Sequence, residues 1–333
     1  MKPLSAQSWI IASCLIGAAS QGRACDLCSL YSSPPTSGQI GSIESAEEAR
    51  GLIGRGFFGG LAEQFTYFGT LQSDGEVVPN EVGQYLNSFN SQVFGGYNFT
   101  DRIGVQLNLP IIYRSFRRPE GFAIDQGTEA GIGDLALLGH GVLLNRQGED
   151  WNLTWSVMGG VKFPTGSTQR LQEEFNETEV PGAPESGIHG HDLTLGSGSY
   201  DGIIGTTGFY RWHSVFMAAQ VHYSIRSTGD YDYRFANDLM WSGGPGMFLW
   251  LQPKSTFALQ FNVSGEYKGL DTFQGASAAD TGVTSVFLGP QLLYTWTDKL
   301  SAQLGIDLPV SIDNTALQLV PDYRVRAAFT WRF

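Results

Sequence analysis

From Phe57 onward, hydrophobic and polar residues alternate along most of the chain with a period of two. Ile103, Val105, Leu107, Leu109 and Ile111 alternate with Arg102, Gln106 and Asn108. Trp151, Leu153, Trp155, Val157, Val161 and Phe163 alternate with Asn152, Thr154, Ser156 and Lys162. Val215 to Ile225 alternates in the same way around Gln220, His222 and Ser224. Phe257 to Tyr267 does so around Gln260, Asn262 and Glu266, and Leu300 to Leu308 around Gln303 and Asp307. Successive side chains on a strand point to opposite faces. Each run therefore predicts a strand with one apolar and one polar face. The runs reach about 9 to 11 residues or more, the length a tilted membrane-crossing strand requires. Strands of ordinary globular domains average about 5 to 6 residues.

The connections alternate in length. Short ones lie near Thr100-Asp101, 145–150, 212–214, 252–255 and 297–299. Long polar ones lie near 72–84, 115–127, 166–194, 227–236, 269–281 and 311–320. Five short and six long connections separate twelve strands, with both ends of the array on the short-turn side. This predicts an all-β fold, a transmembrane antiparallel up-and-down β-barrel of about twelve strands over residues 57–333. A soluble β-sandwich would explain the alternation but not the strand lengths or the short/long rhythm. Three residues fit poorly. Glu63 falls on the otherwise apolar face of Phe57 to Leu71, and Pro245 and Pro290 would each delete a ladder bond. Bulges near the barrel rims are expected to absorb the prolines.

The last stretch, Asp322 to Phe333, puts Tyr323, Val325, Ala327, Phe329, Trp331 and Phe333 on one face and Arg324, Arg326, Thr330 and Arg332 on the other. It resembles the closing strand of bacterial outer-membrane barrels, and that resemblance implies that Phe333 serves as the assembly signal read by the barrel-assembly machinery.

Composition agrees with a barrel. The 333 residues include 43 glycines and are 13% aromatic and 42% hydrophobic, and no apolar run after the N-terminus is long enough for a membrane helix. The net charge of −12 argues against nucleic acid as a partner. The first residues read as a secretory signal: Lys2, the apolar segment Trp9 to Ala19, then Gly22-Arg23-Ala24, with cleavage after Ala24. Ile11-Ala12-Ser13-Cys14 offers a lipoprotein alternative with a very short apolar region. Cleavage leaves Cys25 and Cys28 at the head of a segment, residues 25–56, expected to lie in the periplasm or to plug the barrel. Their spacing suits a disulfide, a redox pair or half of a metal site.

The polar strand faces are expected to line the lumen. Arg102, Gln106, Asn108, Lys162, His222 and Gln260 belong to that set, as do Asn262, Glu266, Gln303, Asp307, Arg324 and Arg326. The long loops are mainly acidic. Arg114, Arg117 and Arg118 make the second loop the exception.

Several local patterns follow one another in a fixed order along the strands. Asn98 to Arg102 leads into Gln106-Leu107-Asn108-Leu109-Pro110, and Gly131-Ile132-Gly133-Asp134 opens the next strand pair. Lys162-Phe163-Pro164-Thr165-Gly166 ends a strand before the longest loop, and Leu195-Gly196-Ser197-Gly198-Ser199 opens the following one. In that order they resemble the transporter-like outer-membrane barrels of the meta-pathway of phenol degradation, over about residues 57–333. The resemblance implies an outer-membrane channel or uptake protein with no catalytic residues to carry over. Read alone, the motifs are strand ends, turns and close strand approaches.

Two chemical readings remain. Some twelve-stranded barrels are phospholipases with a Ser-His pair on the outer face, but His140 and His222 fall on the polar face with no triad motif around them. In the longest loop, His189, His191 and Asp192 follow Glu173, Glu174, Glu177, Glu179 and Glu185. Imidazole plus carboxylate suits a divalent metal such as Zn, Cu or Ni, although an acidic loop is more often simply solvated. The sequence thus predicts a non-enzymatic barrel without a cofactor, apart from a divalent metal on that loop. Its setting is the lipid of a Gram-negative-type outer membrane with both barrel termini periplasmic, and it passes small solutes. The competing expectation is a scaffolding barrel that holds a periplasmic partner through Cys25 and Cys28.

Overall fold

The computed structural model describes residues 55–175, 180–252, 254–297 and 299–333. The segment expected to be a signal peptide, Cys25, Cys28, most of the 25–56 segment, Glu177 and Glu179 lie outside the described residues.

Twelve antiparallel strands form the barrel wall. They are β1 (Gly56–Ser73), β2 (Tyr85–Asn98), β3 (Ile103–Glu120), β4 (Ala123–Ile132 continued by Leu135–Gln147), β5 (Trp151–Phe163) and β6 (Asp201–Trp212). Then follow β7 (Val215–Ile225), β8 (Asp238–Gln252), β9 (Ser255–Lys268), β10 (Val283–Trp296), β11 (Leu300–Asn314) and β12 (Leu317–Arg332). Each pairs with its sequence neighbour, and β12 pairs with β1 to close the ring. The closing register runs from Phe58 opposite Arg332 to Ser73 opposite Leu317, with shifts near Phe68. Beyond it, the Phe333 N–H donates to the Phe57 carbonyl at 2.9 Å. Closure leaves no unpaired edge, the condition for backbone to sit in lipid.

Burial is inverted relative to a water-soluble sheet. Gln106, Asn108, Gln260 and Asn262 are buried, while Ile103, Leu107, Leu259, Leu304 and Leu308 are exposed. The exposed band is edged with aromatics. Phe57, Phe99, Trp151, Trp212, Trp250, Trp296 and Phe333 ring the short-turn end, and Tyr113, Tyr200 and Tyr267 stand on the outer surface towards the other end. Tyr200, immediately before β6, and Trp212, at its end, are twelve residues apart, about 30 Å along the barrel axis for a strand tilted by about 40°. That matches the apolar thickness of a membrane. The alternation had already fixed the two faces; the aromatic girdles needed strand boundaries to be seen.

Several expectations are corrected. The second and sixth long connections are not loops. β3 runs on to Glu120 and returns at Ala123, and β11 turns into β12 through Thr315-Ala316 alone. Both hairpins stand as extensions of the wall. The prolines do not sit at the rims. Pro290 lies opposite Phe261, the middle of β9, and on the other flank of β9 the ladder skips Gly244 and Pro245. A side chain on Gly244 would strike the Phe261 carbonyl, so glycine there permits the close approach that accompanies the missing proline donor. Glu63 does face outward, where it is half-buried and accepts from the Ser91 hydroxyl opposite it. Finally, the inner face is only partly polar. Phe209, Phe216, Phe248, Ala258 and Leu293 form an apolar cluster on the inner wall towards the short-turn end.

Candidate functional site in the barrel lumen

Much of the described connection between β5 and β6 does not stand out in solvent. It folds into the barrel, and residues 187–197 are buried without a break. It contains a 3-10 helix (Gln169–Phe175) and one turn of helix, α1 (Gly190–Leu193). Alternation is absent here because the segment is enclosed on every side. Ile188 and Leu193 pack against Phe68, Leu71, Leu86, Phe116 and Leu319 on the wall. This is the plug.

Polar contacts fix its register. The Leu319 N–H donates to the Gly187 carbonyl at 2.9 Å. Gln84 clamps both sides of the chain: its Nε2 donates to the Glu185 carbonyl at 3.0 Å, and its Oε1 accepts from the Gly187 N–H at 2.9 Å. Arg114 donates to the Thr194 carbonyl. Arg118 spans three partners: Asp125 at 3.0 Å, Glu173 at 2.7 Å and the Ile188 carbonyl at 3.3 Å. Arg170 binds Glu129 at 2.7 Å, and the Arg118 and Arg170 guanidinium groups both lie over the Phe116 ring. Burial raises the Glu173 carboxyl, but hydrogen bonds from Arg118 and Arg170 outweigh that and hold it below the ordinary glutamate value. The arginine-bearing second hairpin and the acidic third loop are thus complementary surfaces.

At the foot of the plug, three of the sequence motifs meet. β4 is broken at Gly133-Asp134, and the Asp134 carboxylate turns inward. It accepts from the Gly166 N–H at 2.9 Å, from the Ser197 N–H and hydroxyl at 2.9 Å each, and from Lys162 Nζ at 2.7 Å. Gly166 and Gly196 are so close that a side chain on either would collide with the other's backbone. Lys162 also reaches Asp201 at 2.6 Å, and Arg226 joins Asp201 at 3.0 Å to Asp238 at 2.6 Å. The result is an alternating chain of three carboxylates and two cations across β4 to β8, all buried. Each of Lys162 and Arg226 has a carboxylate on either side, the condition for charges to stand away from water.

The remaining lumen-lining candidates are placed as follows. Gln106, Asn108, His222, Gln260, Asn262, Glu266 and Asp307 are buried on the inner face, as is Arg324. Arg326 Nη2 lies 2.6 Å from Asp307 Oδ2, and Arg324 Nη2 lies 3.8 Å from Glu266 Oε2. Gln303 is half-buried and receives a hydrogen bond from Gln291 at 3.0 Å. Arg102 is the exception. It lies in the exposed turn before β3, with its backbone N–H on the Thr100 hydroxyl, and does not line the lumen. The alternation could not exclude it because the strand begins one residue later. His140 and His222 both face inward, and His140 Nε2 pairs with Asn98 Oδ1 at 3.0 Å, so neither is on the lipid-facing surface a barrel phospholipase would use.

Among the described residues, two spaces inside the barrel bear on the path. One, with about 510 Å³ of empty space counting its open side, lies between the plug residues Thr194 to Ser197 and the charged chain at Lys162 and Arg226. The other, about 610 Å³ on the same measure, lies towards the short-turn end. Its walls carry Gln220, Gln260, Gln291 and Gln303 together with Phe209 and Phe216.

The histidine pair belongs to the plug. His189 Nδ1 lies 2.9 Å from Asp280 Oδ2, on the connection between β9 and β10, and the two imidazole rings stack at 5.5 Å. His191 Nδ1 lies 3.1 Å from Glu174 Oε1, and its Nε2 lies 3.4 Å from Asp192 Oδ1. The other Asp192 oxygen accepts from the His189 N–H at 2.9 Å, closing the turn that opens α1. Burial alone pushes the His191 imidazole down, but the Asp192 and Glu174 carboxylates outweigh it and hold it well above the usual histidine value. Asp280, distant in sequence, could not have been paired with His189 from local spacing.

No family model matches the chain, and no curated protein matches it. Among solved structures the fold is similar to an outer-membrane channel from Pseudomonas putida F1, at 14% identity and a TM-score of 0.56, over 84% of this chain and 96% of that one. It is also similar to the β domain of the Bordetella autotransporter Brka (10% identity, TM-score 0.42, 83% and 99%) and to a Pseudomonas aeruginosa FadL homologue (10%, 0.34, 85% and 91%). At 14% identity the likeness to the Pseudomonas putida channel speaks to the fold alone. The class is therefore the closed, twelve-stranded, outer-membrane type of β-barrel, here with a folded internal plug.

Proposed function

We propose that the protein is an outer-membrane channel for small polar solutes whose path is controlled by the plug between β5 and β6. The observation that carries this reading is the polar inner face. It runs from Gln84 at the loop end to Gln303 near the short-turn end, and is interrupted by a segment held through side-chain contacts. A scaffold needs neither a continuous hydrogen-bonding wall nor a separately folded obstruction. The similar fold of the Pseudomonas putida channel supports the reading. The narrower likeness to phenol-pathway barrels rests on the motifs alone. In this reading the short turns and both barrel ends face the periplasm, and Phe333 is presented to the assembly machinery.

The larger cavity, with amide side chains facing phenylalanines, fits a small solute that has hydrogen-bonding groups and one apolar face. Many loop carboxylates are neutralised by internal partners, among them Asp238 and Asp271. Asp74, Glu76, Glu81, Glu185, Asp232 and Asp313 remain exposed at the loop end. They bias entry towards cations, and the bias fades at high salt, where screening acts within about 3 Å at 1 M. The test is conductance across planar bilayers. Replacing 168–193 by a short turn is expected to raise unitary conductance several-fold, and reversal potentials in a salt gradient should show modest cation preference. Unchanged conductance after plug removal would count against a gated channel.

A further inference from the structure

We propose that His189, His191 and Asp280 form a binding site for a borderline divalent cation of the Zn²⁺ class, which clamps the plug to the connection between β9 and β10. One nitrogen from each imidazole and one Asp280 oxygen lie within 4.8 Å of one another. Three donors at metal-bond lengths of about 2.0–2.2 Å are roughly 3.4 Å apart in a tetrahedral set. The widest gap therefore closes by at most about 1.4 Å, within reach of side-chain rotation. Two imidazoles and a carboxylate are the ligand set of open three-ligand zinc sites.

The surroundings support a cation. Glu174 holds His191 Nδ1 at 3.1 Å, the carboxylate–histidine arrangement that orients a ligating ring and leaves its other nitrogen for the ion. Asp192 Oδ1, 3.4 Å from that nitrogen, is the nearest further donor. Three carboxylates thus surround two imidazoles. The site is also reachable, since His191 is enclosed while Asp280 keeps about a quarter of its side chain open to solvent. An ion enters from the Asp280 side and meets donors that need only side-chain rotation to close on it.

The ligands belong to two separate pieces of chain. His189 and His191 flank Gly190, where α1 begins in the plug, and Asp280 is fixed to the wall between β9 and β10. Occupancy joins them covalently in effect and opposes withdrawal of the plug. Metal binding stands independently of the channel reading, whereas its effect on conductance rests on that reading.

The test is calorimetric titration of the folded full-length barrel in detergent with ZnCl₂, alongside a Cys25→Ser/Cys28→Ser variant. One equivalent is expected to bind in both. Asp280→Asn should weaken binding at least tenfold, and His189→Gln/His191→Gln should abolish it. Folding of each variant is checked by its heat-modifiable gel mobility. Asp280→Asn keeps the comparison intact should the double variant fail to fold. Amide exchange over 187–194 should slow at least tenfold with zinc in the parent and not in Asp280→Asn. No binding by the parent, or stoichiometric binding that survives Asp280→Asn undiminished, would overturn the site and leave ordinary ion pairs. Binding without any change in conductance would leave the metal site standing and remove its role as a clamp on the channel.

Discussion

Lys162 and Asp134 meet at 2.7 Å beneath the plug, each almost wholly buried, and they come from two motifs 28 residues apart. The contact ties the end of β5 to the break in β4, and through Asp134 it reaches Gly166 and Ser197 at the two ends of the plug. Asp134 therefore fixes where the plug enters and leaves the wall.

Replacing Asp134 by alanine should loosen the plug more than the wall. Lys162 would keep Asp201 but lose its second carboxylate, and two backbone donors would lose their acceptor. Breaking a buried pair costs about 3 to 5 kcal/mol, and the remaining partner places this case near the lower figure. Exchange of the amides at Gly166 and 195–199 should quicken while strand amides stay protected. Equal loss of protection across both would show that the pair holds the whole barrel.

The two faces of a strand should respond differently to the same substitution. Leu259→Arg and Leu304→Arg put a charge on exposed, lipid-facing positions and should cost about 2 to 4 kcal/mol near the bilayer midplane. Gln303→Arg, beside the larger cavity, should fold nearly normally and change conductance instead. Urea unfolding in lipid vesicles measures the first effect. Equal damage at all three positions would mean that the lumen has no room for the longer side chain.

Acid should release the plug, and only well below neutrality. Glu173 faces Arg118 from β3 and Arg170 from its own helix, with Asp125 and Glu129 as the competing carboxylates. Its folded-state pKa is depressed, so the stabilisation is present above its unfolded value, about 4.3, and is lost as pH falls through the lower folded value. Conductance should stay constant from pH 8 to about 5 and rise below about 4. A Glu173→Gln variant should already conduct more at pH 7. A rise centred near pH 6 in the parent would point to a histidine instead.

Removing Phe333 should impair assembly more than the stability of a barrel already formed. Its N–H makes one hydrogen bond to Phe57, and its ring is largely exposed. Little of the folded barrel depends on it, so outer-membrane yield should fall while the unfolding midpoint of the assembled fraction hardly moves. Normal yield of the deletion variant would show that Trp331 and the strand suffice.

Period-two alternation made the wall legible, because a strand between lipid and a polar interior must repeat its faces residue by residue. It also placed Gln260, Asn262 and Asp307 inward. The plug was not legible in this way. Ile188 and Leu193 are apolar, Glu173 and Glu174 are charged, and no periodicity joins them, since the segment contacts the wall all round. One signal was present. Arg114 and Arg118 are basic in an otherwise acidic set of loops, and their partners are Glu173 and the carbonyls of Ile188 and Thr194. Likewise Asp134, Lys162 and Ser197 each read as an ordinary strand end. Only the register of the whole barrel brings them to one point.

The plug has its anchors spread widely along the chain. Gly187 touches Gln84 on one side and Leu319 on the other, and His189 waits for Asp280. During synthesis the segment exists well before its last two partners do. The obstruction can be completed only when the final hairpin has zipped against the first strand, so a barrel stalled short of that step is a leaky one. Pulse proteolysis during refolding should find the buried 187–194 stretch cleavable until β12 pairs with β1, and protected from that moment. Sealing and closing are then one event, and assembly itself passes through no stage with a finished but unplugged wall.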